Sequence, residues 1–553
     1  MRSRLALIII VGGAAGIAAA CGGGDDPPPP YSTPNATGGT SGHGHGGSQS
    51  GAAGESGAGG VSTGGQSGES ATIGSAGSLV LGTAGVPYTG DMGVGAGTGG
   101  GAGAPGPGDG SGHLFIGPGG YDGAQGTRDD PLGTLAGAAT LATHGDTIVF
   151  LAGNYSFPAL DDAIVIPDGV DITADVARLV VLAGSGGTLL DLAGDTHVDG
   201  LRFTGFATVA NVASVDGNVT VTNASFSACP SEDGKRVFEV GGGATVTLTG
   251  DSMHDWGDCP TLARVTESGS FALDGGIIHF SGTAEPAVFS AAASSKLVLS
   301  NLRAVDGDRT LLALADDSDT TILASTFETS ANNAIVLGDR ASLDMTNSEL
   351  SLGAAPLPDA CILSNLDGPS TVTLAYSLIH GCRAGLSGAA PATLTINHTA
   401  FYGMTESGLD LTTADGSVIE LEAASFYADA LRAARFGGGN PSVFHLTVHG
   451  TSVATVPTGF DLAGDAGSSW DFGTLAKSGA NSFNADTTSL LLSSASIATV
   501  TAIGNTWAPN VQGADTDGHY VAAGAGGVLE VTSGSGRNYD DTVGATLRLA
   551  ENP

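Results

Sequence analysis

A short phrase, apolar at its first, third and eighth positions, recurs along residues 170–448 and constrains this chain more than any other feature. Its copies open at Val170, Thr196, Val219, Val246, Phe271, Leu297, Thr320, Leu343, Val372, Leu394, Ile419 and Phe444. From Val219 to Phe444 the mean repeat is 25 residues, a period that marks solenoids, propellers and arrays. The third position is mostly β-branched or Leu (Val221, Leu248, Leu273, Leu299, Ile322, Leu374, Ile396, Leu421). The eighth is mostly large and apolar (Phe203, Phe226, Met253, Ile278, Phe327, Leu350, Ile379, Phe401, Phe426). Such a pattern predicts an all-β solenoid whose strands bond to the coils before and after them. About twelve coils at ~4.8 Å make a rod of roughly 60 Å. A chain of 553 residues has length enough for several domains, but a solenoid grows as one body by adding coils.

The first twenty residues read as an export signal: Arg2 and Arg4, an apolar run over 5–11, then small residues up to Ala18-Ala19-Ala20-Cys21. Small residues before a cysteine resemble the bacterial lipoprotein cleavage box. By that resemblance Cys21 carries a lipid and becomes the mature N-terminus. Gly22 and Gly23 stand where an inner-membrane retention Asp would be, which favours the outer membrane or cell surface. The apolar run is too short to span a bilayer. Residues 22–112 are Gly, Ser, Thr, Ala and Pro with almost nothing to bury, so they read as a disordered tether. Its root-mean-square reach is roughly 50 Å. His43 and His45, two histidines in this tract, read as inert.

Acidic residues outnumber basic ones 55 to 18, a net charge of −37. That disfavours nucleic acid and anionic membrane surfaces as partners, leaving the lipid as the only membrane contact. A polyanionic glycan would need a bridging cation such as Ca²⁺; no other cofactor is expected. Four cysteines remain, and the repeat places Cys229 and Cys259 on successive coils, and Cys361 and Cys382 likewise. Stacked coils lie within disulfide reach, so these are the expected pairs. No cysteine or histidine spacing suggests a metal site.

Order is expected from His113. The segment HLFIGPGGYDGAQGTRDDPLGTLAGAATLATHGDTIVFLAGNYSF (113–157) reads as strand, turn, helix, strand. Pro131 suits a helix start, and Leu132, Leu135, Ala136, Ala139 and Ala142 share one helical face. This segment resembles the N-terminal entry of pectin-lyase-like right-handed parallel β-helix proteins, in particular a bacterial subfamily of exported ones. The resemblance is carried by GYDG at 120–123, Gly126-Thr127, Pro131-Leu132-x-Thr134, Gly145-Asp146-Thr147-Ile148 and Gly153-x-Tyr155. GNTWAPNVQGADTDGHY (504–520) is similar to that subfamily's closing motif. The resemblance implies right-handed coils of three sheets. A solenoid needs a cap over its exposed end core, and the helix is placed to provide one. The β-helix is expected over 113–530, with a cap or trailing strands over 531–553. The resemblance says almost nothing of activity.

The residue after each inward eighth position should face outward. These residues include His254, His279, His380, Tyr402 and Tyr427, the last three on consecutive coils. A row of rings at coil spacing suits a sugar chain, whose faces offer C–H groups to aromatic ones; it equally suits an exterior stacking ladder. His254-Asp255-Trp256-x-Asp258 holds an acid/base pair and an aromatic beside Cys259. β-Helix lyases bring Ca²⁺-binding aspartates and a basic residue, and related hydrolases bring paired Asp with Gly-His-Gly. Here the doublets Asp129-Asp130, Asp161-Asp162, Asp316-Asp317 and Asp540-Asp541 lack such partners, and Val448-His449-Gly450 has no Asp pair one coil earlier. Arg432 and Arg435 lie near Tyr427 in sequence and offer contacts to an acidic sugar. No residue set reads as catalytic. The expectation is therefore a monomeric, surface-displayed, non-catalytic glycan-binding or adhesive module. The alternatives are a polysaccharide lyase or glycoside hydrolase with a divergent site near His254 and Asp258, or a structural envelope spacer.

Overall fold

The computed structural model describes residues 112–550 except 159–161, 213–216, 231–235, 250–260, 280–286, 308, 330, 354–359, 366–367, 438–442, 465–466, 475, 487, 493–498, 503–504, 508–519, 523–527 and 533–545. Cys21, the linker, His254, Asp258 and Cys259 lie outside the described residues, as does most of the closing motif.

The chain is a right-handed parallel β-helix. Each coil contributes strands to three sheets, named first, second and third in the order the chain visits them. Every pairing among the described residues is parallel and joins equivalent strands one coil apart. Val219 faces Val246, and the file continues through Phe271, Leu297, Thr320, Leu343, Val372, Leu394 and Ile419. These are the openings of the sequence phrase, each at most 1% exposed. The last opening differs from expectation: Ile419 faces Leu446, not Phe444. Both are buried and lie two residues apart on the same side of the strand, so an apolar pattern of period 2 does not distinguish them. Among the described residues the third sheet has 15 strands. Twelve belong to coils marked by the phrase; one precedes them and two follow.

The described eighth-position residues fill the second sheet's inner face, where Phe203 stacks on Phe226 at 5.3 Å and Phe401 on Phe426 at 5.1 Å. Each such side chain stabilises the fold by about 1.5–3 kcal/mol. At the bend between first and second sheets the backbone repeatedly takes positive φ, for example 50° at Asn347, 50° at Tyr376 and 48° at His398. The residue after each bend turns inward. Ser325, Ser348, Ser377 and Thr399 thereby form a buried polar file, in which the N–H of each of the first three donates to the hydroxyl of the next coil, at 3.1, 3.2 and 3.4 Å. Ala424 interrupts the file, which resumes at Thr451, Asn481 and Asn505.

At the entry, His113–Ile116 pairs with Thr147–Phe150, and that strand with Asp171–Ala174. The helix spans Leu135–Leu141 with Thr134 as its N-cap, so it starts later than Pro131. Asp122 of the GYDG segment fixes this start, accepting from the N–H groups of Gly133 and Thr134 and from the Thr134 hydroxyl. Its buried face is Leu135, Ala138, Ala139 and Ala142, while Ala136 is exposed. Counting i, i+3, i+4 and i+7 from Leu135 gives that face; counting from Leu132 puts Ala136 in it in place of Ala138.

Cys361 and Cys382 form a disulfide between consecutive coils, with Cα atoms 5.6 Å apart. Cys229 is also disulfide-bonded. At the other end, Val528–Thr532 pairs with Thr546–Ala550 as trailing strands of the first sheet. No helix among the described residues is long and apolar enough to cross a membrane.

Candidate functional site

The outer face of the second sheet carries the expected row. In register, Ser351 faces His380, His380 faces Tyr402, Tyr402 faces Tyr427, Tyr427 faces Ala454 and Ala454 faces Asn484. Tyr402 is 48% exposed and Tyr427 41%. Of the ten exposed large apolar or tyrosine side chains among the described residues, six lie between 376 and 431: Tyr376, Leu378, Tyr402, Val418, Tyr427 and Leu431. Apolar exposure is therefore concentrated on these few coils.

Ring geometry restricts what the row offers. The Tyr402 and Tyr427 rings are 5.6 Å apart between centroids with planes 10° from parallel. Rings lying side by side in one plane cannot come so close, so they overlap face to face. Each partly covers one face of the other, and beyond Tyr427 the next position in register is the small Ala454. His380 Nε2 sits 2.9 Å from Glu349 Oε1, which ties the ring to the coil before it. A second stack escaped the sequence reading: Tyr376, 57% exposed, lies on His398 at 4.8 Å and 14°. Both residues occupy the positive-φ bend, outside the alternation from which outward positions were counted.

Other candidates fall elsewhere. His279 is exposed on the same sheet, opposite Val305, but its strand lies four coils from that of His380, about 19 Å. Arg432 and Arg435 belong to the third sheet, not to the tyrosine face. There Arg432 pairs with Asp461 at 2.8 Å and Arg435 with Asp410 at 3.5 Å. Asp316 and Asp317 both have positive φ in a turn and meet Arg340, Asp317 at 2.8 Å. That doublet is a turn held by an arginine.

Two titratable groups are buried in ways the sequence did not announce. His449, 6% exposed on the first sheet, has Nε2 at 3.5 Å from Asp471 Oδ1, and Glu422 is its register partner on the preceding coil. Asp471 also accepts from the N–H of Gly473 at 2.7 Å. A search for Asp doublets misses this arrangement, because its carboxylates come singly on either side of the histidine. Asp429, two residues after Tyr427, is 1% exposed. Burial pushes its carboxyl up to about 8, against the opposing effect of bonds from the N–H groups of Met404 and Gly408. It fastens the turn after Tyr427 to the loop after Tyr402. Among the described residues no group of three His, Cys, Asp or Glu side chains is arranged to hold a metal ion.

No family model and no curated protein sequence matches the chain. Among solved structures it is similar to a rhamnogalacturonan lyase, at 11% identity over 64% of this chain and 83% of that one, with a TM-score of 0.22. It is similar to the catalytic unit of a thermostable GH87 alpha-1,3-glucanase from Streptomyces thermodiastaticus, at 12% identity over 76% and 65%, TM-score 0.21. The A-module of the Azotobacter vinelandii mannuronan C-5 epimerase AlgE6 is 12% identical over 75% and 93%, TM-score 0.16. Likenesses this distant say nothing of the present chain's chemistry, which has to be argued from its own side chains.

Proposed function

We propose that this protein binds a polysaccharide on the outer face of its second sheet without cleaving it, displayed at the cell envelope by a lipid on Cys21 and the tether 22–112. The observation that carries this reading is the pair of exposed tyrosines in register at Tyr402 and Tyr427. Leaving two rings half in water forgoes apolar burial, and adjacent exposed rings suit the C–H faces of a sugar. The net charge of −37 favours a neutral glycan over a polyanionic one. A second reading, a polysaccharide lyase or hydrolase, draws support from His449 beside Asp471, since an imidazole and a carboxylate can exchange a proton during acid–base catalysis.

The test is native electrophoresis of the full chain through gels containing galactomannan, mixed-linkage β-glucan, an α-glucan or polygalacturonate. Reducing ends and unsaturated products are followed with and without Ca²⁺. Retardation by a neutral polysaccharide, lost in Tyr402→Ala/Tyr427→Ala and unaccompanied by products, is the expected outcome. Product formation would replace the binding module with the enzyme. No retardation in any gel would leave the structural spacer.

A further inference from the structure

The tyrosine stack stops at Tyr427. One coil further the register position is Ala454, and one beyond that Asn484. The neighbouring outward file is equally small, Ser425 facing Ser452 and Ser452 facing Ser482. Tyr427 and Asn484 are two coils apart, about 10 Å. A ring in van der Waals contact needs about 4 Å on each face. One ring therefore fits over Ala454, between the side of Tyr427 turned away from Tyr402 and the exposed Asn484 side chain.

We infer that this slot receives a single pyranose ring of a neutral polysaccharide, seated as the next member of the tyrosine stack; the inference rests on the glycan-binding reading and names its subsite. A pyranose has the chemistry the slot asks for. Its C–H face meets the Tyr427 ring, while its hydroxyl rim reaches the Asn484 amide, which both donates and accepts, and the Ser452 and Ser482 hydroxyls. An aromatic side chain from a protein partner would satisfy the ring face and leave those polar groups unmatched. A uronate fits less well than a neutral sugar. Arg383, Arg432 and Arg435 are engaged with Glu406, Asp461 and Asp410, and the chain's net charge opposes an anion.

The inference differs from a flat platform in what it says about Ala454. On a platform of ring edges, a larger side chain one coil beyond Tyr427 would lengthen the contact surface. In a slot it blocks the site. The full chain is run in the same neutral-polysaccharide gels as wild type, Ala454→Leu, Asn484→Ala and Tyr427→Ala, with melting temperatures recorded for each. Ala454→Leu should weaken retention by about tenfold or more while melting at or above the wild-type temperature, because leucine packs on the side of Tyr427 turned away from Tyr402. Asn484→Ala, at an exposed side chain, should weaken it by about threefold or more and carries the test if Ala454→Leu folds poorly. Wild-type retention in Ala454→Leu, with retention lost in Tyr402→Ala/Tyr427→Ala, would overturn the slot and leave the tyrosine row standing. Absence of retention in the wild type would remove both. Retention by polygalacturonate without Ca²⁺ would overturn the preference for a neutral ring.

Discussion

Asp429 shows how a single side chain acquires a property that its sequence neighbours do not announce. Its surroundings in the sequence, Tyr427-Ala428-Asp429-Ala430, read as an ordinary exposed turn. Only the return of the previous coil buries it, as Met404 N–H donates to its carboxylate at 3.1 Å. Burial raises the carboxyl from 3.8 to about 8 in the fold. Between those values the unfolded chain holds fewer protons than the folded one. The stability Asp429 contributes is therefore complete below pH ~4 and is lost as pH rises through about 8. Asp429→Asn keeps a neutral acceptor for the same N–H groups at every pH. Thermal melting of the variant should gain on wild type as pH rises from 4 to 8, by at most about 1.4 kcal/mol per pH unit, and the gap should stop widening above that. A gap that stays constant over the whole range would mean the carboxyl is ionised in the fold.

At the scale of a strand and its neighbours, the apolar openings were mostly legible in the sequence, and the buried polar positions were not. The openings from Val219 to Ile419 were read correctly because each faces the next across the sheet. The buried file Ser325, Ser348, Ser377 and Thr399 recurs at the same period, yet a serine in a sequence carries no sign that it points inward. The stacking of Tyr402 on Tyr427 was hidden for a different reason: register fixes which residues are neighbours, while side-chain torsions decide whether rings lie flat or overlap. The polar file yields its own prediction. Ser348→Ala removes the acceptor for the Ser325 N–H and strands a buried donor, at a cost of about 1–3 kcal/mol. Ala424→Ser, at the break in the file, should instead stabilise by about 0.5–1.5 kcal/mol. Native-state hydrogen exchange reads both locally: faster exchange at Ser325 in the first variant, slower at Thr399 in the second. Unchanged protection at both amides would show that the file is incidental to stability.

For the molecule as a whole, two global quantities were plain from the start, the repeat and the charge, and they act in opposite senses. The repeat makes each coil depend chiefly on its neighbours, so cohesion comes from short-range stacking that salt leaves largely untouched. The charge acts over longer distances: 55 acidic against 18 basic residues repel one another throughout the chain. Ion pairs such as Arg128–Asp175 and Arg432–Asp461 relieve this only locally, and 18 cations cannot neutralise 55 anions. Raising ionic strength from 0.01 to 0.15 M shortens the screening length from about 30 to about 8 Å, which reaches well below the span of a dozen coils. The melting temperature should therefore climb by several degrees over that interval and level off beyond it, with NaCl and KCl equivalent. A Ca²⁺ effect far exceeding that of monovalent salt at matched ionic strength would instead signal specific carboxylate binding. A flat response would mean that the acidic residues are spaced widely enough along the coils for water alone to screen them.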